Sequence, residues 1–177
     1  MAIQQQNLDQ LNTNTWKKIY ETTLTEAATR LTISNLNGDV DEEYMLIGRI
    51  AAGADTNRMG IRPNNDTGNN YGYQMLWGIS SSPGAERGGW NRLALDISGA
   101  QTGEISFVKC LLYAKSGYVR TALASSCDGI ATTTVTGANL IGSSWNNTAD
   151  NITSLVIFSD QANRLGIGTV IELYKKI

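Results

Sequence analysis

The sequence predicts an all-β protein: a single-domain β-sandwich, jelly-roll-like, with a short N-terminal arm. Three observations lead there. Apolar residues recur at every second position through most of the chain. The periodic segments are rich in Thr, Val, Ile and Tyr, which suit a pleated, half-buried surface. Short Asn-, Gly- and Ser-rich connections separate them, and 18 Gly against 2 Pro supply many turns while blocking few strands. A chain of 177 residues fits one domain and buries enough surface for a core without disulfides or metals.

Residues 1–15, MAIQQQNLDQLNTNT, are polar, with Ile3, Leu8 and Leu11 as spaced apolar anchors, and read as an arm outside the core. Residues 16–177 form the sandwich domain. WKKIYETTL (16–24) opens it, and TRLTISNL (29–36) sets Leu31 and Ile33 on one face. Between them LTEAATRL is long enough for a helical turn and no more. EYMLIGRIA (43–51) is dense enough for a central strand, and RMGIR (58–62) is short. YGYQMLWG (71–78) puts Tyr71, Tyr73, Met75 and Trp77 on one face, and Gly72, Gln74 and Leu76 on the other. GAERGG (84–89) lacks the Lys-Ser/Thr of a phosphate-binding loop and reads as a flexible loop. NRLALDIS (91–98) alternates Leu93, Leu95 and Ile97. EISFVKCLLYA (104–114) and YVRTALASS (118–126) flank a tight hairpin expected at Ser116-Gly117, which sets Cys110 opposite residue 123 or thereabouts. NLIGSSWN (139–146), ITSLVIFS (152–159) and TVIELYKKI (169–177) complete a set of about ten strands.

Composition narrows function. The formal net charge is −2, the pI about 5.1, and no basic stripe is visible, so nucleic-acid binding lacks its electrostatic driving force. With no histidine, Ser-His-Asp and Cys-His catalysis and His-ligated zinc are excluded. Paired carboxylates could still cleave glycosides, but the sequence favours no pair. Cys110 and Cys127 do not form a CxxC and read as free thiols, compatible with a reducing compartment. The N-terminus shows neither the charged nor the apolar region of a secretion signal, and no apolar run is long enough to span a bilayer, so no membrane partner is expected. Asp39, Asp41, Glu42 and Glu43 cluster in NGDVDEE without the spacing of an EF-hand loop; a solvated acidic turn is expected there, with calcium binding as the alternative. No cofactor is expected.

The segment RPNNDTGNNYGYQMLWG (62–78) offers two readings. Asn64, Asn65, Asp66, Asn69 and Asn70 are residues that tolerate left-handed backbone and bond their own backbone, and Gly68 would supply a positive φ, so the run forms a strand connection. Tyr71, Tyr73 and Trp77 then pack in the sandwich or a subunit contact. Alternatively the Asn-rich loop and the rings of Tyr71, Tyr73, Trp77, Trp90 and Trp145 form a platform on which sugars stack.

NDTGNNYGYQMLWG resembles the NGDTG-x-NY-x-Y-x-x-L-x-G segment of a widespread family of phage virion proteins. WKKIYETTLTEAATRLTISNL is similar to that family's opening, a Trp-led strand, a T-L-x-x-A turn and an alternating strand. SSWNNTADNITSLVIFS resembles its W-x-x-T-x-x-I-T-S-I segment, and LGIGTVIELYKKI its terminal G-x-x-x-x-L-Y strand. The pieces fall in order from residue 16 to 177. One departure is Asn65, in Asn64-Asn65-Asp66-Thr67, where the family often carries Gly. The resemblance implies a β-sandwich built into a tailed-phage particle, on the capsid or in the tail, with no catalytic residues. A small acidic domain with no site chemistry and a polar arm suits a non-enzymatic capsid decoration or cement protein, assembled into the virion in the bacterial cytoplasm. There the loops and the arm would bind the major capsid protein across subunit joints, with a homo-oligomer such as a trimer compatible. The rival expectation is a tail-fibre or receptor-binding module recognising host surface glycans.

Overall fold

The structure, a computed structural model, describes residues 15–53, 58–96, 102–129 and 135–177. Ile3, Leu8 and Leu11 of the expected arm lie outside the described residues. Along the chain run β1 (Trp16–Thr23), β2 (Arg30–Ile33), the single-turn helix α1 (Gly38–Asp41), β3 (Glu43–Ala51), β4 (Met59–Pro63) and β5 (Tyr71–Ile79). Then come β6 (Ser82–Trp90), β7 (Leu93–Asp96), β8 (Ile105–Tyr113), β9 (Arg120–Gly129), β10 (Val135–Trp145), β11 (Leu155–Ser159) and β12 (Val170–Lys176). They form two antiparallel sheets. One has eight strands in the order β1-β12-β3-β8-β9-β10-β5-β6, the other four in the order β2-β11-β4-β7. The chain passes repeatedly from one sheet to the other, so the layers cannot separate without breaking many connections. This is the all-β sandwich that period-two alternation predicts.

The core lies between the sheets. From the large sheet Leu46, Ile50, Val108, Cys110, Met75 and Ile141 point inward; from the small sheet Ile33, Ile61, Leu93, Leu155 and Ile157 meet them. Burying each such aliphatic side chain contributes about 1.5–3 kcal/mol relative to exposure. The layers are also tied by a hydrogen bond: the Ala94 N–H on β7 donates to Ser143 Oγ on β10 at 3.1 Å, which satisfies a hydroxyl that the β10 alternation turns inward.

Several expectations need correction. GAERGG is not a flexible loop but the middle of β6, paired through its length with β5. An edge strand needs only one ladder of hydrogen bonds, and β6 is exposed on most of its length, so its sequence shows no apolar alternation. Its glycines have a packing reason: a Cβ on Gly84 would lie 2.1 Å from Trp77 Cζ2, so only glycine lets the indole cross the edge strand. The β8–β9 connection spans residues 114–119 rather than a two-residue turn at Ser116-Gly117, and the register sets Cys110 opposite Ala124. The loop is longer because Ala114 N–H is drawn to the Glu42 carbonyl and Gly117 N–H to that of Thr148. Cys110 and Cys127 are free thiols, one buried and one exposed, because their alternation places them on opposite faces of the large sheet.

The acidic turn is α1 and its flank; its carboxylates, solvated as expected except for the largely buried Asp41, are also paired. Asp41 pairs with Lys175 at 2.7 Å and accepts the Tyr44 hydroxyl at 2.8 Å. Glu42 pairs with Lys115, and Glu43 with Lys176 at 2.5 Å. Asp39 accepts the Ser116 N–H at 2.7 Å. Each carboxylate has its own donor, and among the described residues no three His, Cys, Asp or Glu side chains converge as a metal site.

Candidate interaction surface

The Asn-rich segment forms a structural clasp. Asn64 and Asn65 adopt φ of 51° and 54°, the left-handed geometry that asparagine tolerates, so Asn65 occupies the turn where the resembling family carries Gly. Gly68 does not take a positive φ as expected. Its N–H donates to Asp66 Oδ1 at 2.8 Å, and a Cβ there would come within 2.6 Å of Asn70 Nδ2. Asp66 also accepts Asn70 Nδ2 at 3.0 Å and the Trp145 indole N–H at 2.8 Å. Burial raises its pKa, but these three donors and the Arg62 charge outweigh it and hold the carboxyl below its ordinary 3.8. Asn64 Nδ2 donates to the Asn151 carbonyl at 2.8 Å, and its Oδ1 accepts the Thr153 N–H at 2.9 Å. Asn151 continues to Asn37 Oδ1 at 3.0 Å, so three loops at one end of the sandwich are joined. Asn69 is exposed.

The aromatic candidates divide. Tyr71 and Trp145 are buried and stacked, with centroids 6.2 Å apart, and Arg120 covers Trp145 at 5.3 Å. Tyr73 is buried and meets Trp90 at 4.8 Å, while Trp77 packs partly buried against the core. Trp90 is half-buried with the Arg58 and Arg92 guanidinium groups 4.9 and 4.5 Å from its ring centroid. The sugar platform therefore does not form on this set: strand alternation turns Tyr71, Tyr73 and Trp145 inward, and arginines cover Trp90. The guanidinium of Arg164, also fully buried, has no hydrogen-bond partner among the described residues, and nothing in the fold explains it.

What the structure leaves open is the outer face of the large sheet. Register aligns its outward residues in cross-strand rows. Met45, Leu111 and Leu123 follow one another across β3, β8 and β9. Leu140 on β10 lies opposite Leu76 on β5, and Phe107 on β8 opposite Cys127 on β9. Leu76 is 57% exposed, Phe107 and Leu123 53% each, and Leu140 49%, so nothing in this chain's described residues covers them. The same face carries open depressions. One of about 260 Å³ is lined by Trp16, Leu111, Tyr113 and Leu123; one of about 190 Å³ by Lys109, Leu111, Leu123 and Leu140. A third, of about 690 Å³, is lined by Gln74, Arg87, Thr121, Gly142 and Ser144. Sequence reasoning missed these residues, although EISFVKCLLYA signals them. Phe107 and Leu111 are apolar in one phase, Val108, Cys110 and Leu112 in the other, the pattern of a strand apolar on both faces.

No protein-family profile matches the chain, and no curated protein matches it. Among solved structures, a putative pore-forming toxin from Bacteroides vulgatus aligns at 9% identity and a TM-score of 0.11. The alignment covers 87% of this chain and 59% of the toxin, and a score that low carries no information about fold or activity. Among the described residues no helix is long and apolar enough to cross a membrane.

Proposed function

We propose that this protein is a non-enzymatic structural component of a tailed-phage particle, a decoration or cement protein seated on the assembled head through the outer face of its eight-stranded sheet. The uncovered apolar rows of that face carry the reading. Soluble monomers rarely expose contiguous apolar patches beyond a few hundred Å². Five strands about 4.8 Å apart, each with about seven residues rising about 3.3 Å, present roughly 550 Å² in projection, the order of one partner's share of a standard interface, with the apolar rows set among polar residues such as Lys109, Ser125 and Gln74. The in-order resemblance of residues 16–177 to phage virion proteins supports the same reading.

The mechanism is linkage. A rigid slab that binds the assembled lattice better than free subunits stabilises the lattice by mass action. Two packed sheets, a Trp145–Asp66 tie and interlocked Asn loops provide the rigidity; the apolar rows provide contact. The test is location and surface together. Immunogold labelling or a particle map is expected to place the protein on the head, and Leu123→Asp with Leu140→Asp to abolish attachment while leaving the circular dichroism spectrum unchanged. Label on the tail, or attachment unaffected by both substitutions, overturns the proposal.

A further inference from the structure

We propose a second contact point on the opposite side of the sandwich: Arg62, beside Arg30, is a docking site for a carboxylate carried by an acidic protein segment. It rests on the small sheet, independent of the face assigned above. There guanidinium groups and aromatic rings alternate. Arg58 lies over Trp90 at 4.9 Å, and Arg92 over the same ring at 4.5 Å. Arg92 also lies 5.0 Å from the Phe158 centroid, and Arg62 covers that ring at 3.8 Å. Gly60 makes room for the ladder, since a Cβ there would meet Arg92 Cδ at 2.4 Å.

The rungs are not equally satisfied. Arg58 pairs with Glu86 at 3.4 Å, and Arg92 with Asp160. Arg62 has its Nε tied to the Asn91 carbonyl at 2.9 Å, but no carboxylate among the described residues forms an ion pair with it. The acids that influence it are held elsewhere, Asp160 by Arg92 and Asp66 by Trp145, Asn70 and Gly68. Arg30, opposite Phe158 in the β2–β11 register, is exposed and likewise without an ion pair among the described residues. Burial and the like charges of Arg92 and Arg30 pull the Arg62 guanidinium below its ordinary value, partly offset by Asp160. A guanidinium packed 3.8 Å from a ring centroid and fixed at Nε presents its two terminal nitrogens as a preorganised fork. The ladder's other two guanidinium groups each take a carboxylate; the vacant fork calls for a third. The chain is acidic overall, with a net charge of −2, so this local excess of cation is not part of a basic face built for a nucleic-acid backbone.

Fluorescein-labelled hexaglutamate peptide, followed by fluorescence polarisation at low salt, tests the assignment on the full chain. The expected result is saturable binding that Arg62→Gln weakens about tenfold or more and that Arg62→Lys also weakens, because lysine keeps charge but not the fork. Arg30→Gln should weaken it less. Arg49→Gln, on the large sheet's outer side, should leave it unchanged, and circular dichroism checks that each variant is folded. If the Arg62 variants do not fold, Arg30→Gln against Arg49→Gln decides. No saturable binding, equal loss in Arg49→Gln, or displacement of the peptide by inorganic phosphate more effectively than by acetate at matched ionic strength overturns the proposal.

Discussion

The indole N–H of Trp145, at the end of β10, donates to Asp66 Oδ2 at 2.8 Å across 79 residues of sequence, and this bond anchors the Asn-rich loop to the core. Trp145 is fully buried, so its N–H has no water to turn to. Asp66→Ala is expected to leave that donor orphaned, release Gly68 N–H and Asn70 Nδ2, and cost about 1–3 kcal/mol in urea unfolding at neutral pH. Asp66→Asn keeps an acceptor and should cost less. An Asp66→Ala protein as stable as the wild type would show that the loop is not anchored here.

The same carboxylate makes stability depend on acid. Its folded pKa lies below the ordinary 3.8, as does that of Asp39, held down by the Ser116 N–H. A depressed carboxylate contributes stability that is fully present above its unfolded pKa and is lost as pH falls through the folded value. The urea midpoint should therefore hold steady from pH 7 to about 5 and fall below about pH 4. In Asp66→Asn that acid slope should flatten while the midpoint at pH 7 drops. An acid limb unchanged by the substitution would assign the slope to other groups.

The edge hairpin offers a contrast between two glycines, six residues apart, whose surroundings differ. At Gly84 a Cβ would strike the Trp77 indole at 2.1 Å, while at Gly78, opposite Pro83 in the same hairpin, it would meet nothing within 4 Å. Gly84→Val should displace the indole and lower stability by about 1–3 kcal/mol. Gly78→Ala should be tolerated within about 0.5 kcal/mol. Thermal melts of the two variants side by side check this, and equal losses would mean that β6 does not depend on the Trp77 crossing.

Legibility followed physics rather than position. EYMLIGRIA became β3 at the predicted boundaries because one period-two signal governs the whole segment. Ser82–Trp90 escaped because an exposed edge strand needs no apolar period, only a neighbour with free backbone groups. Alternation alone set Tyr71, Tyr73 and Met75 on one face, but which face is buried and which is solvent-exposed depends on the unequal split into eight and four strands. Hence Leu76 and Leu140, the residues that now define the outer face, carried no more signal than any apolar residue. Arg62 was illegible for a related reason: a cation acquires meaning only when its neighbours' counter-ions are counted, and Asp160 lies 98 residues away in the chain.

The two thiols turn the proposed attachment face into a measurement. Cys127 lies exposed on the outer face beside Phe107, whereas Cys110 is buried in the core, where burial pushes its thiol up to about 12. Only thiolate reacts readily, so an aromatic disulfide reagent at pH 8 should titrate one thiol rapidly in the folded protein and both in urea. On intact particles the outer face would be covered by the lattice, and Cys127 should then react at least about tenfold more slowly than in the free protein, since covalent modification requires the open state. Releasing the protein from the particle should restore the fast rate, which separates coverage from oxidation. Equal rates in the bound and free states would mean that the apolar rows around Leu123 and Leu140 face solvent in the assembly, and attachment through the large sheet would fall with them.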